Sequence, residues 1–164
     1  LCMGHALLCD RPYNQITLAA THVSHAVRKN EKAIGTQDKD IPTQLKDGIR
    51  GFFLEVHPSP TEAASAQLCF ISCTVNDGGT LGQTLQVLAN FLANNPRELV
   101  TIVLDNPGGV ETAAITKDFV AAGLDTLSAT GPALGDWQTA GQLLDAGKQA
   151  VIIAQANVKA PPAW

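Results

Sequence analysis

Four side chains in this sequence are equipped to move a proton or steady a phosphate: His22, Glu55, His57 and Asp105. Histidine titrates near neutral pH and serves as either base or acid, each role being worth on the order of 10²–10⁴-fold in rate. Glu55 and His57 are two residues apart, which on a strand turns both to one face. There they could hold a divalent ion, calcium or magnesium, or pair with each other. The ion pair has the stronger claim, because two ligands make no complete metal site. Asp105 could add an oxygen ligand, or with Asn106 open the turn at Pro107. Arg50 is a candidate phosphate ligand, but its place just ahead of a strand reads first as a salt-bridging scaffold position. His5 and His25 read as surface or loop residues.

These side chains need elements to hold them. Short apolar, β-branched runs predict strands at 16–21, 51–57, 67–70, 99–104 and 150–154. Helical spacing predicts helices at 41–47, 80–93, 112–122 and 138–145, with Gly48, Gly123 and Gly147 as stop signals and Pro96 beyond the second. Strands alternating with helices imply parallel pairing through right-handed crossovers, and near-continuous apolarity in the last two strands means both faces are covered. His22, Glu55 with His57, and Asp105 then fall at the C-terminal ends of strands, the face on which parallel α/β folds gather their chemistry. No Gly-x-Gly-x-x-Gly follows the first strand, so a TIM-type (β/α) barrel is preferred to a dinucleotide-binding sheet. Five strands cannot close an eight-stranded barrel. Residues 1–164 therefore read as one domain, either the N-terminal part of a longer barrel or a partial barrel whose edge something else covers. Residues 58–60 and 77–79 read as loop punctuation, and 161–164 carry no strand pattern.

Composition narrows the setting. The chain has 11 basic and 15 acidic residues, a net charge of −4, with 45% hydrophobic and only 16% charged residues. That is enough apolar material for a packed core and too few charges for a disordered segment. Without a Lys/Arg cluster there is no nucleic-acid footprint. The longest apolar runs are far shorter than the roughly 20 residues a bilayer requires. Four cysteines form two close pairs, Cys2 with Cys9 and Cys69 with Cys73. Three connectivities exist for four cysteines; the two local bridges are favoured, which makes the chain secreted rather than cytosolic. The start at Leu1 reads as a processed mature chain, and there is no Asn-x-Ser/Thr acceptor for N-glycosylation.

Taken together, Leu8-Cys9-Asp10-Arg11-Pro12-Tyr13, Thr21-His22-Val23-Ser24, Gln44-Leu45-Lys46-Asp47-Gly48-Ile49-Arg50, Leu68-Cys69-Phe70-Ile71-Ser72-Cys73 and Asn94-Asn95-Pro96-Arg97-Glu98-Leu99 resemble the X domain of phosphatidylinositol-specific phospholipase C, particularly in secreted fungal members. The resemblance implies a TIM-type barrel longer than this chain, cleavage of a phosphodiester by two histidines, and no redox cofactor. It implies that the ligand is a small phosphodiester or phospholipid headgroup. It assigns the base to His22 and the acid to position 70, where this chain has Phe70. It also places Val23 where calcium-dependent relatives carry a metal-holding asparagine, and valine offers no oxygen.

Two functions follow as expectations. One is a secreted phosphodiesterase using His22 as base, with Glu55, His57 or Asp105 supporting phosphate or metal. The other is a catalytically silent binding or effector-like, immunomodulatory protein on the same scaffold, recognising a glycan, a lipid headgroup or a receptor. In either case Phe70 lines the substrate position as an apolar plug or a platform for a sugar face.

Overall fold

Three of the described helices begin at a side-chain cap. The computed structural model describes residues 1–62, 65–132 and 135–159. In chain order these form α1 (Ala6–Cys9), a 3-10 turn (Tyr13–Gln15), β1 (Ala20–Thr21), α2 (Ile41–Lys46), β2 (Gly51–Pro58), β3 (Ala66–Phe70), β4 (Asn76–Thr80), α3 (Leu81–Asn94), β5 (Val100–Asp105), α4 (Thr112–Ala121), α5 (Leu124–Leu127), β6 (Ser128–Ala129), α6 (Ala140–Asp145) and β7 (Ala150–Ala154). Asp40 caps α2 by accepting from the Thr43 amide. Thr80 with Gln83, and Thr139 with Gln142, form reciprocal capping boxes at α3 and α6. Residues 161–164 lie outside the described residues.

The parallel part of the sheet runs β1-β2-β5-β7-β6, with Gly51 to Glu55 paired in register to Thr101 to Asp105, and Val100 to Leu104 paired to Ala150 to Ala154. One face carries Phe52, Leu54, Val56, Val100, Ile102 and Leu104, packed against the apolar stripe of α3 and against Ile115 and Phe119 of α4. At 25 cal/mol per Å², each such side chain contributes about 2 kcal/mol. On the other face the N-terminal segment and α6 cover the lower half, through Cys2, Leu99, Ala140, Leu143 and Val151. Arg97 fastens that segment, bonding the Leu1 carbonyl and Asp145. The upper half of this face is open, and on its β6 side β7 has no described strand partner beyond Val151. The sheet is thus a partial barrel, as the strand count predicts.

Three expectations need correcting. β3 runs antiparallel to β2, with Val56 opposite Leu68, and β4 returns antiparallel to β3. Seven residues separate β2 from β3, too few for the dozen or more a parallel crossover needs. The Gly-rich stretch 77–79, read as a loop, is part of β4. Its Gly78 is demanded by packing: a Cβ there would sit 2.8 Å from Cδ2 and 3.0 Å from Cβ of His25. Gly78→Ala is expected to cost about 1–3 kcal/mol, the usual range for overpacking, read as a lowered melting temperature. An alanine variant as stable as the parent would show that the contact relaxes freely. The first strand is also shorter than predicted, since β1 finds a partner only for Ala20 and Thr21.

Both local disulfides are present. Cys2–Cys9 and Cys69–Cys73 have Cα separations of 5.2 and 4.8 Å, and no described cysteine is free. The second bridge makes the chain curl directly after β3, since an extended run of that length would span about 13 Å at 3.3 Å per residue.

Candidate functional site

The loop after β1 is built from buried polar groups. The single Thr21 hydroxyl hydrogen is shared between Ser24 Oγ and Gln44 Oε1, Ser24 Oγ donates back to the Thr21 carbonyl, and Gln44 Nε2 donates to the carbonyls of Ser24 and Lys39. Ser24 and Gln44 are fully enclosed, so these bonds are satisfied where water does not compete. The turn drives Val23 to φ +44° and buries its side chain, a conformation that β-branched residues rarely adopt. Position 23 thus points into the protein.

His22 stays exposed. Its carbonyl accepts from Gln37 Nε2 at 2.7 Å and Thr36 Oγ1 at 2.9 Å. Its ring stacks on Phe53 with centroids 4.9 Å apart. With Thr21, Phe53, Val103, Thr101 and Tyr13 it lines a cavity of about 480 Å³ over the open face of the sheet. Tyr13 closes the floor, its hydroxyl 2.6 Å from Thr101 Oγ1. Burial there raises the Tyr13 pKa above its ordinary value against the opposing effect of that hydrogen bond, so the phenol remains protonated.

Two residues above Phe53 on the same face of β2, Glu55 Oε1 lies 2.9 Å from His57 Nε2, each side chain 15% exposed. An ionised carboxylate only accepts, so Nε2 carries the hydrogen and Nδ1 is the atom left for proton transfer. Asp105 is the register partner of Glu55 across β2 and β5. Its carboxylate accepts from Asn157 Nδ2, while Asn157 Oδ1 accepts from the Asn106 amide at 3.1 Å. Asn106 bonds both ways to the backbone of Val110, the turn role that its position before Pro107 suggests.

The strands therefore carry His22, Glu55, His57 and Asp105 to one end of the parallel sheet; His22 lines the cavity, Glu55 and His57 bond each other, and Asp105 is held by Asn157. Arg50 lies at the other end of β2. It bonds Glu98 at 2.8 Å and the carbonyls of Leu45 and Ile49, and its guanidinium sits 4.7 Å from the Phe91 ring centroid. That is the scaffold role, and it removes Arg50 from the site as a phosphate ligand. Phe70 ends β3 opposite Asn76, half-buried, in a return hairpin instead of atop a parallel strand. His5 is exposed as expected. His25 is not a surface residue: it is 5% exposed, with no hydrogen-bond partner of ordinary geometry at either ring nitrogen. Burial pushes its pKa down to about 4; the nearby Cys69 backbone opposes this and His57 adds to it.

Among the described residues no group of three or more His, Cys, Asp or Glu side chains could hold a metal. Glu55 and His57 are spent on each other, Asp105 is engaged by Asn157, and Val23 is buried, so the donor set does not fit a calcium ion needing six to eight oxygens. Sequence reasoning missed Thr36, Gln37, Gln44 and Asn157, which act through backbone or across the sheet and leave no spacing signal.

Comparison with known proteins extends this picture. A secreted protein of uncharacterised function from Arthroderma benhamiae is 33% identical over 92% of this chain and 34% of its own length. The PI-PLC X domain-containing protein 1 of the same fungus is 28% identical over 96% of this chain and 52% of its own. The chain thus spans a third to a half of these curated relatives. Phosphatidylinositol-specific phospholipase C from Listeria monocytogenes superposes with a TM-score of 0.69 at 15% identity, covering 96% of this chain and 57% of that one. The PI-PLC X family model matches residues 8–161, nearly the whole sequence, and on that match the chain belongs to the PI-PLC X-domain family.

Proposed function

We propose that this domain is the N-terminal part of a secreted phosphodiesterase that cleaves a phosphoinositide or related phospholipid headgroup, with His22 as base and the Glu55–His57 pair as acid. His22 takes the proton from a substrate hydroxyl as that oxygen bonds to phosphorus. The bond to the leaving alcohol breaks, and His57 in its imidazolium form, with Nε2–H held by Glu55, supplies from Nδ1 the proton that oxygen needs, which the ring then recovers from water. The observation that carries the reading is the 2.9 Å Glu55–His57 bond on the face that bears the His22 cavity. A carboxylate that fixes ring and tautomer readies the other nitrogen for proton transfer, and this supplies what Phe70 cannot. The secreted fungal relative and the two disulfides support an extracellular setting.

The test is Glu55→Gln assayed on a water-soluble inositol phosphodiester with the native protein. The amide still occupies the space but no longer fixes the tautomer. We expect turnover to fall by about tenfold, with a changed pH–rate profile on the limb set by the acid. An unchanged profile would remove the pair from the chemistry. Phe70 at the family's acid position favours the second reading, a silent headgroup- or glycan-binding protein. Saturable binding of inositol phosphate without any turnover would select it.

A further inference from the structure

The loop that carries His22 holds two features at odds with their surroundings. Val23 is a buried β-branched residue at φ +44°, a conformation that persists only where neighbouring contacts enforce it. Two residues on, the His25 ring is 5% exposed, and both its nitrogens are shut off from water without a hydrogen-bond partner of ordinary geometry. Ser24, between them, ties the loop to β2: its amide donates to the Phe53 carbonyl at 2.8 Å, and its Oγ accepts from the Phe53 amide at 3.0 Å. Beyond His25 a second tie runs from Asn76 Nδ2 to the Val27 carbonyl at 3.0 Å. The ring between these ties fills the space that a side chain at Gly78 would need, close to the Cys69 backbone.

Nothing in that enclosure is placed to take a second proton's charge. His57 on β2 is itself a base and opposes the charge. Asp40, at the head of α2, lines with His25 a cavity of about 190 Å³, but its Oδ1 is taken by the Thr43 amide. Asp77 precedes Gly78 on β4, and its Oδ1 accepts from Gln67 and from the Gly79 amide. From α3 come Gln83, Thr84 and Val87, all uncharged. No carboxylate among the described residues pairs with His25. The closed loop therefore refuses the proton, and burial pushes the pKa of the ring down to about 4. Opening gives the ring to water, where it takes a proton at its ordinary value of 6.5, and it frees Val23 from its strained backbone. Acid and strain thus favour the same open state, the arrangement a two-state element requires.

We propose that residues 22–26 form a proton-driven latch, closed at neutral pH with His22 stacked on Phe53, and opened when His25 takes up a proton, which parts Ser24 from Phe53 and carries His22 away from the cavity. A loop closed about a hundred to one at pH 7 is about evenly open at pH 4 by this linkage. The purpose of the latch, silencing turnover in acid, rests on the phosphodiesterase reading; its test does not.

The test is amide hydrogen exchange of the native protein, followed residue by residue by NMR at pH 7, 6 and 5, corrected for intrinsic exchange, with and without a low concentration of denaturant. The reporters are the Ser24 and Ala26 amides, bonded to the carbonyls of Phe53 and Val23, against the Thr101 amide, bonded to Arg50 in the middle of the sheet. We expect the loop amides to exchange through an opening that denaturant does not promote, while Thr101 exchanges through global unfolding. Protection of Ser24 and Ala26 should fall about twentyfold from pH 7 to pH 5. In His25→Leu it should stay flat, and likewise in His25→Gln, which keeps a polar end but takes no proton; should the first variant fail to fold, the second decides. Loop amides with the same denaturant dependence as Thr101 would overturn the latch, since the loop then opens only with the whole fold. Flat protection in the parent overturns it too, as does an equal acid loss in the variants. A loop that opens in acid in a protein without turnover at pH 7 upholds the latch and overturns only the catalytic reading.

Discussion

His22→Ala should lower phosphodiester turnover by about 10²–10⁴-fold, the range for losing a positioned general base, with little change in stability. The two halves of that expectation come from different parts of the residue. The loop is fixed through the His22 backbone, whose carbonyl is gripped by Thr36 and Gln37, and through the buried Thr21–Ser24–Gln44 network. The ring is exposed and rests on Phe53, so its removal opens no cavity in the core and leaves no polar group buried without a partner. Loss of the ring stack is worth about 1 kcal/mol at most. A fall in kcat with KM nearly constant is the signature of a group whose interaction develops in the transition state. Turnover within a few-fold of the parent would place the base elsewhere, and Asp105 would be the next residue to vary.

The fold was most legible where local chemistry and tertiary packing agree. Leu81, Leu85, Leu88 and Leu92 recur at helical spacing behind a Thr80 cap, and they bury as a stripe against the sheet. The run at 99–104 is central in the parallel sheet, with Val100, Ile102 and Leu104 on the helical core and Leu99 beneath the N-terminal segment, which is why it is largely apolar. Legibility failed where a distant residue sets the local structure. Gly78 and Gly79 carry the composition of a turn, yet they form a strand because β3 lies beside them and His25 leaves no room for a side chain at 78. The direction of β3 was written in the shortness of the link after Pro58, a signal that alternation of strands and helices had masked. At the site, His22, Glu55, His57 and Asp105 could be placed on one end of the sheet from strand order alone. The bonds that engage them could not: Asn157 reaches Asp105 from beyond β7, and Arg50 spends its donors on a glutamate 48 residues away.

His25 is where sequence and structure differ most, and it makes the stability of the protein depend on pH. The ring is enclosed by its own loop, by Gly78 of β4 and by the Cys69 backbone, and the nearby His57 further disfavours its protonation. Its pKa lies at about 4 in the folded protein, against 6.5 for the free side chain. The unfolded chain therefore binds a proton that the native state refuses, and stability must fall as the pH drops below 6.5. The loss accumulates down to about pH 4, where the native ring also titrates. A shift of that size corresponds to about 3 kcal/mol, a substantial part of the 5–15 kcal/mol typical of a folded domain. Asp40, whose carboxyl is held below its ordinary value by the Thr43 amide, adds its own loss only at still lower pH. His25→Leu removes the titrating group while keeping an apolar side chain of similar bulk against Gly78. Denaturant titrations at pH 8 should find the variant close to the parent, since the neutral ring contributes there mainly through packing. Between pH 6.5 and 4 the parent should weaken by about 3 kcal/mol while His25→Leu stays nearly flat. If the variant lost stability as steeply as the parent over that interval, the proton would be entering elsewhere, and the enclosed ring would have to be reached by water.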